Sequence, residues 1–149
     1  MKAKLLTGAV LLSLVWIACS KDKYKTTPTL TFNSVNGNVF QAGQQVDFNF
    51  SVSDKEGDLQ DSIFLQRISS AACTDNSITT GYPMPAVLPN KFLKADIDLV
   101  FSYRNPSPPL VQLEGCSQEN DTATFRFWIK DNAGHVSDTV KAPPIVLLK

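Results

Sequence analysis

The sequence predicts an all-β domain, an antiparallel β-sandwich of about seven strands that follows an N-terminal export signal. Three observations point there. Short segments alternate strictly between apolar and polar residues, as Val46, Phe48, Phe50 and Val52 do against Asp47, Asn49, Ser51 and Ser53. Clusters of Gly, Asn and Asp separate these segments, as turns would. No stretch from Leu30 onward carries the apolar spacing of a helix.

The first element is the signal. Lys2 and Lys4 give a positive start, Leu5 to Ala18 is an uncharged apolar run, and small Ala18 precedes Cys19. Charge, short apolar segment and small-residue cleavage point form the layout of a secretory signal. A helix that spans a hydrocarbon core takes about 20 apolar residues, so cleavage is expected over a retained anchor. The segment Leu14, Val15, Trp16, Ile17, Ala18, Cys19 and Ser20 resembles a lipobox, with Trp16 where Leu is usual. That resemblance implies a signal over 1–18 and a diacylglycerol on the thiol of Cys19. A single acyl chain binds membranes marginally, whereas two or more hold firmly. Residues 19–28 then read as a lipidated cysteine and solvated tether, and 29–149 as one domain. In the lipoproteins it resembles, Ser20 rather than Asp after the cysteine is compatible with passage to the outer membrane.

Charge narrows the partners. The signal holds two of the 14 basic residues and none of the 14 acidic ones, which leaves the mature chain at −2. A weakly acidic chain without a basic stripe excludes nucleic acid as an expected partner. The membrane is reached through lipid instead.

Strands follow in order. Leu30–Val35 is a weak first strand, and Val46–Ser53 is a strong second one with a single apolar face. Ser62–Ile68 is weaker. Ile97, Leu99 and Phe101 alternate with Asp96, Asp98, Val100 and Ser102. Ala123, Phe125, Phe127 and Ile129 alternate with Thr124, Arg126, Trp128 and Lys130. Val136–Val140 and Ile145–Leu148 complete the set. Thr74 to Lys94 is the least regular stretch; Pro83, Pro85 and Pro89 suit an edge or a long loop, not a central strand. Pro106, Pro108 and Pro109 stiffen a second connection. Strands with one apolar face each bury it by stacking as two sheets about 10 Å apart. A closed barrel is the alternative arrangement.

Two segments carry a family resemblance. Phe50 to Leu59, with Asp54, Glu56, Gly57 and Asp58, resembles the loop after the second strand of bacterial immunoglobulin-like and cadherin-like secreted modules. Trp128 to Asp138, with Asp131, Asn132, Ala133, Gly134 and His135, is similar to the turn that joins their last two strands. The resemblance covers both ends of the domain and leaves out 70–119. Together with Ser20, Lys21 and Asp22 it implies an immunoglobulin-like sandwich in a Bacteroidota-type lipoprotein. It implies no activity.

With Cys19 lipidated, Cys73 and Cys116 remain. An even pair in an exported chain points to a disulfide, against the alternative of two free buried thiols. Lettered as in an immunoglobulin sandwich, Cys73 follows strand C and Cys116 precedes strand F. These strands are antiparallel neighbours, which brings both cysteines to one end. The same lettering gathers Asp54, Glu56, Asp58, Asp61 and Asp131 at the other end, with Asn132. Calcium takes six to eight oxygen ligands, often carboxylates mixed with carbonyls, so two such loops form a candidate calcium site. The alternative is a solvated acidic turn whose Asp and Asn side chains cap the backbone.

Motifs for zinc proteases, phosphate-binding loops and serine hydrolases are missing, and His135 is the single histidine. No enzyme is expected. Arg126 and Trp128 share the outward face of one strand, where an aromatic platform would meet a glycan or a peptide. The alternative for Trp128 is a cover over the sheet. Two functions stand side by side: a binding or adhesion module, and a structural subunit of a larger envelope complex.

Overall fold

The structure, a computed structural model, describes residues 26–59, 61–71, 73, 76–84, 91–106 and 108–149. Among these, ten strands follow in order: β1 (Thr29–Val35), β2 (Val39–Phe40), β3 (Gln45–Asp54), β4 (Ser62–Ser69), β5 (Ser77–Pro83), β6 (Leu93–Tyr103), β7 (Val111–Leu113), β8 (Asp121–Lys130), β9 (Val140–Lys141) and β10 (Ile145–Leu147). They form two sheets. One has the order β1-β3-β6-β7, the other β2-β10-β8-β4-β5, with β9 paired to β8. The pairings are antiparallel except β6 with β7 and β2 with β10.

The inward rows of β3 and β8 make the core. Val46, Phe48, Phe50 and Val52 alternate inward from one sheet, and Ala123, Phe125, Phe127 and Ile129 from the other. Their rings interlock across the gap. Phe48 lies 5.2 Å from Phe125 and 5.0 Å from Phe127, and Phe50 lies 4.7 Å from Phe127, centroid to centroid. Tilted and edge-on pairs of this kind add about 0.5–1.5 kcal/mol each beyond the area they bury. The strict alternation in the sequence thus becomes one apolar layer between two sheets.

The opposite face of β3 is polar, and Asn49 and Ser51 on it are hydrogen-bonded to neighbouring strands. Asn33 donates to Asn49 (2.8 Å) and to Ser51 (2.8 Å), Asn49 donates to Asp98 (2.6 Å), and Ser51 donates to Asp96 (2.7 Å). This chain of side-chain bonds runs over β1, β3 and β6 and pins their register. A slip of one residue would drive it into the core.

Two sequence expectations need correction, and a third resolves to its edge-strand alternative. Among the described residues the strand count is ten, because β2 and β7, of two and three residues, and the edge strand β5 join the expected set. The irregular stretch contains β5, a regular edge strand; Pro83 closes it, while Pro85 and Pro89 lie outside the described residues. The expected strand over Val136–Val140 is broken: Val136 makes an isolated bridge to Lys130, and pairing resumes at Val140–Lys141.

Candidate functional site

The acidic loops sit where the sequence placed them, at one end of the sandwich. Asp54 ends β3 with its side chain turned inward and 3% exposed. Its carboxylate accepts the backbone N–H groups of Glu56 (3.4 Å), Gly57 (2.7 Å) and Asp58 (3.0 Å). Gly57 takes φ 76°, a left-handed turn open to glycine without strain. Asp131, fully buried after β8, accepts the His135 amide (2.7 Å) and contacts the ring Nδ1 (3.0 Å). Gly134, at φ 90°, closes that turn by donating to the Asp131 carbonyl at 3.0 Å. The two loops then meet. The Asn132 amide donates to the Asp58 carbonyl at 3.0 Å, and His135 Nδ1 lies 4.0 Å from Glu56.

The carboxylates of Asp54 and Asp131 are engaged within their own loops. Among the described residues, no group of three or more Asp, Glu, His or Cys side chains is arranged to hold a metal ion. The oxygens of Asp54 face loop amides and those of Asp131 face His135. Asp61 accepts from Ser62 Oγ (2.9 Å) and pairs with Lys130 (3.3 Å). Glu56 points toward the imidazole. Asp54 and Asp131 cap their own turns, the alternative the sequence left open.

Asp58 is the exception. Its Oδ1 is buried without a hydrogen-bond partner. Burial holds its carboxyl above the ordinary carboxylate range, helped by a hydrogen bond with the Asp54 side chain and by the nearby charges of Asp131 and Asp54. A carboxyl in that setting favours its neutral form, which can donate to its neighbour.

The other end carries the cross-link. Cys73 and Cys116 form a disulfide with Cα atoms 5.6 Å apart. It ties the segment after β4 to the segment before β8, antiparallel neighbours whose facing ends coincide. Beneath it, buried Arg67 pairs with buried Asp121 at 3.3 Å, and Asp121 also accepts the Ser70 amide. Both thiols are consumed, and His135 lies beyond the far end of β8, so no cysteine–histidine pair forms among the described residues. Cys19 lies outside the described residues.

On the outer face of the second sheet, Arg126 is exposed and Trp128 half-buried. The sequence reading missed their neighbour. Phe64 of β4 stacks on Trp128 with centroids 5.5 Å apart and planes 5° from parallel. Its register partner on the other side is Gly81 of β5. A Cβ at Gly81 would stand 2.9 Å from the Phe64 ring, so the ring lies over the glycine of an edge strand. The signal was available: Ile63 and Leu65 point inward, and parity turns Phe64 outward. The next row sets Thr79, Gln66, Arg126 and Lys141 side by side across four strands.

No family model matches the chain, and no curated protein does. Among solved structures, the sporulation control protein Spo0M from Bacillus subtilis is similar with a TM-score of 0.43 and 10% identity, over 83% of this chain and 50% of that one. The chain therefore spans half the length of that protein.

Proposed function

We propose that the chain is a lipid-anchored envelope protein whose immunoglobulin-like sandwich acts as a non-catalytic binding module, with a glycan as ligand. The observation that carries this reading is the stacked Phe64 and Trp128 on an outward sheet face, followed directly by a row of Thr79, Gln66, Arg126 and Lys141. Sugar rings offer C–H faces to aromatic rings and hydroxyls to amide, guanidinium and ammonium donors. A flat sheet face supplies both without a deep pocket. The immunoglobulin-like assignment draws support from the antiparallel neighbours β4 and β8 in one sheet and β3 and β6 in the other. Outer-membrane location rests on the lipobox resemblance and Ser20.

A glycan array probed with the mature protein tests the function. Specific binding that Trp128→Ala and Arg126→Ala each weaken at least tenfold, in variants whose dichroism shows the fold intact, is the expected result. Binding unaffected by either change, or no binding to any glycan, removes the reading.

A second reading has its own observation. β5 lies at a sheet edge, its Ser77–Pro83 stretch carries no charged residue, and Ile78 on it is exposed. Uncharged edges invite another strand. Co-purification of a stable partner from membranes, lost on Thr80→Pro, would favour a subunit of a larger envelope complex.

A further inference from the structure

Phe92 stands out among the exposed apolar side chains. Its ring is 63% exposed, the highest value for a large apolar residue among the described ones. Its backbone takes φ 64°, a region that glycine enters freely and a bulky L residue enters at a cost. The Phe92 amide donates to the Lys55 carbonyl at 3.2 Å, which fastens this turn to the end of β3. Folding would be served better by a small residue here. The ring contributes little to the core, so strain and exposure together call for a role outside it.

Its surroundings name the partner. Phe92, Lys55, Lys94 and Thr27 line one surface concavity, and exposed Lys91 directly precedes the ring. Thr27 belongs to the segment that joins the domain to the proposed lipid anchor. Between Cys19 and Thr27 the chain can reach roughly 28 Å when fully extended, at about 3.5 Å per residue. That short stretch itself holds Lys21, Lys23, Tyr24 and Lys25 against one acid, Asp22. Asp54 also lines this concavity, but its carboxylate is buried and turned to loop amides. Glu56 faces His135, and Asp61 and Asp131 border β4 and β8 of the opposite sheet.

We propose that Phe92, with Lys55, Lys91 and Lys94, is a membrane-contact patch that seats this pole of the domain on the bilayer carrying its own lipid. The inference rests on the lipid-anchor reading. An aromatic ring suits the boundary between headgroups and acyl chains, and lysines beside it meet anionic headgroups. The acyl chains keep the domain within reach and the patch fixes its orientation. The Phe64–Trp128 face then stands clear of the surface, since it lies on the flank of the other sheet.

The acylated full-length mature protein, purified from membranes and reconstituted in vesicles of phosphatidylethanolamine and phosphatidylglycerol with brominated acyl chains, tests this. Trp128 is the only tryptophan of the mature chain, so Phe92→Trp adds one reporter. Quenching of that reporter several-fold stronger than that of Trp128, reduced by Lys91→Glu with Lys94→Glu, supports the patch. Slower amide exchange over 91–94 in the unsubstituted protein on vesicles supports it independently of any variant. Protein that floats with the vesicles yet shows neither effect overturns the patch and leaves the anchor standing. Protein that fails to float overturns the anchor and the patch with it.

Discussion

At Asp58, burial and like charge act in the same direction. The carboxyl keeps its proton to higher pH in the folded chain than its ordinary value of 3.8 allows, because burial, the Asp54 hydrogen bond and the charges of Asp131 and Asp54 all penalise the anion. The folded state therefore binds more protons than the unfolded one between those two values, and stability falls as pH rises through that window. Its contribution is complete below the unfolded value and lost above the folded one. Asp47 behaves alike, raised by burial first and by Asp98 second, with its Oδ1 also buried and unpartnered. Asp58→Asn keeps the shape and supplies a neutral donor toward Asp54. The expected gain is on the order of 1 kcal/mol at pH 7, the scale of relieving one unsatisfied buried polar atom. Thermal melts of both proteins at pH 7 and near pH 4 read it: the gain should shrink toward the acid end. A loss of stability at pH 7 would mean that this carboxylate serves a cation after all. The residue types of this site were legible in the sequence, and so was the meeting of its two loops. Which way each carboxylate faces was not, because that depends on the turn at Gly57 and Gly134, where one left-handed residue aims amides inward.

At the scale of elements, pairing and cross-linking divide the labour. β3, β6 and β8 were readable because each buries one face and therefore spells its period-2 pattern in residue type. β5 was not, since it is exposed on nearly every position and takes its register from β4. β2, β7 and β9 are too short for any pattern to show, and long-range neighbours select them. The disulfide was readable from topology, since the facing ends of two antiparallel neighbours must coincide. Its removal by Cys73→Ala with Cys116→Ala frees a loop of 43 residues in the unfolded chain. The chain-entropy relation puts the loss at about 4 kcal/mol. Urea titration should show a lower midpoint with a slope equal or steeper, because the freed denatured chain exposes more surface, and a midpoint unmoved by the double change would locate the stability elsewhere. β10 has a different fastening. The Tyr103 hydroxyl donates to the Leu148 carbonyl at 2.7 Å, and Gly115 passes directly beside that hydroxyl. A Cβ at Gly115 would stand 2.6 Å from the Tyr103 oxygen and 3.3 Å from Leu147. Gly115→Ala should cost about 2 kcal/mol by overpacking and bond loss. Faster amide exchange at Leu148 in that variant would locate the damage at β10, and uniform loss over both sheets would argue against it.

For the whole molecule, one question is whether two sheets behave as one body. Phe48 touches Phe101 within its own sheet and Phe125 and Phe127 across the gap, while Phe50 reaches Phe127. No apolar layer is private to either sheet, so neither can lose its partner and keep a dry face. Unfolding should then be a single event. Trp128 reports the outer face of the second sheet through fluorescence, and far-ultraviolet dichroism reports all strands; the two urea curves should superimpose with the disulfide intact. Phe127→Ala sharpens the test. Cavity formation at a buried ring typically costs about 3–5 kcal/mol, a large share of the 5–15 kcal/mol that holds an ordinary domain. Because Phe127 packs on β3 of the first sheet from β8 of the second, the substitution should lower both curves equally and leave them superimposed. Curves that separate, with dichroism lost at higher urea than fluorescence, would show the first sheet surviving alone, and a shared aromatic core would no longer account for the fold.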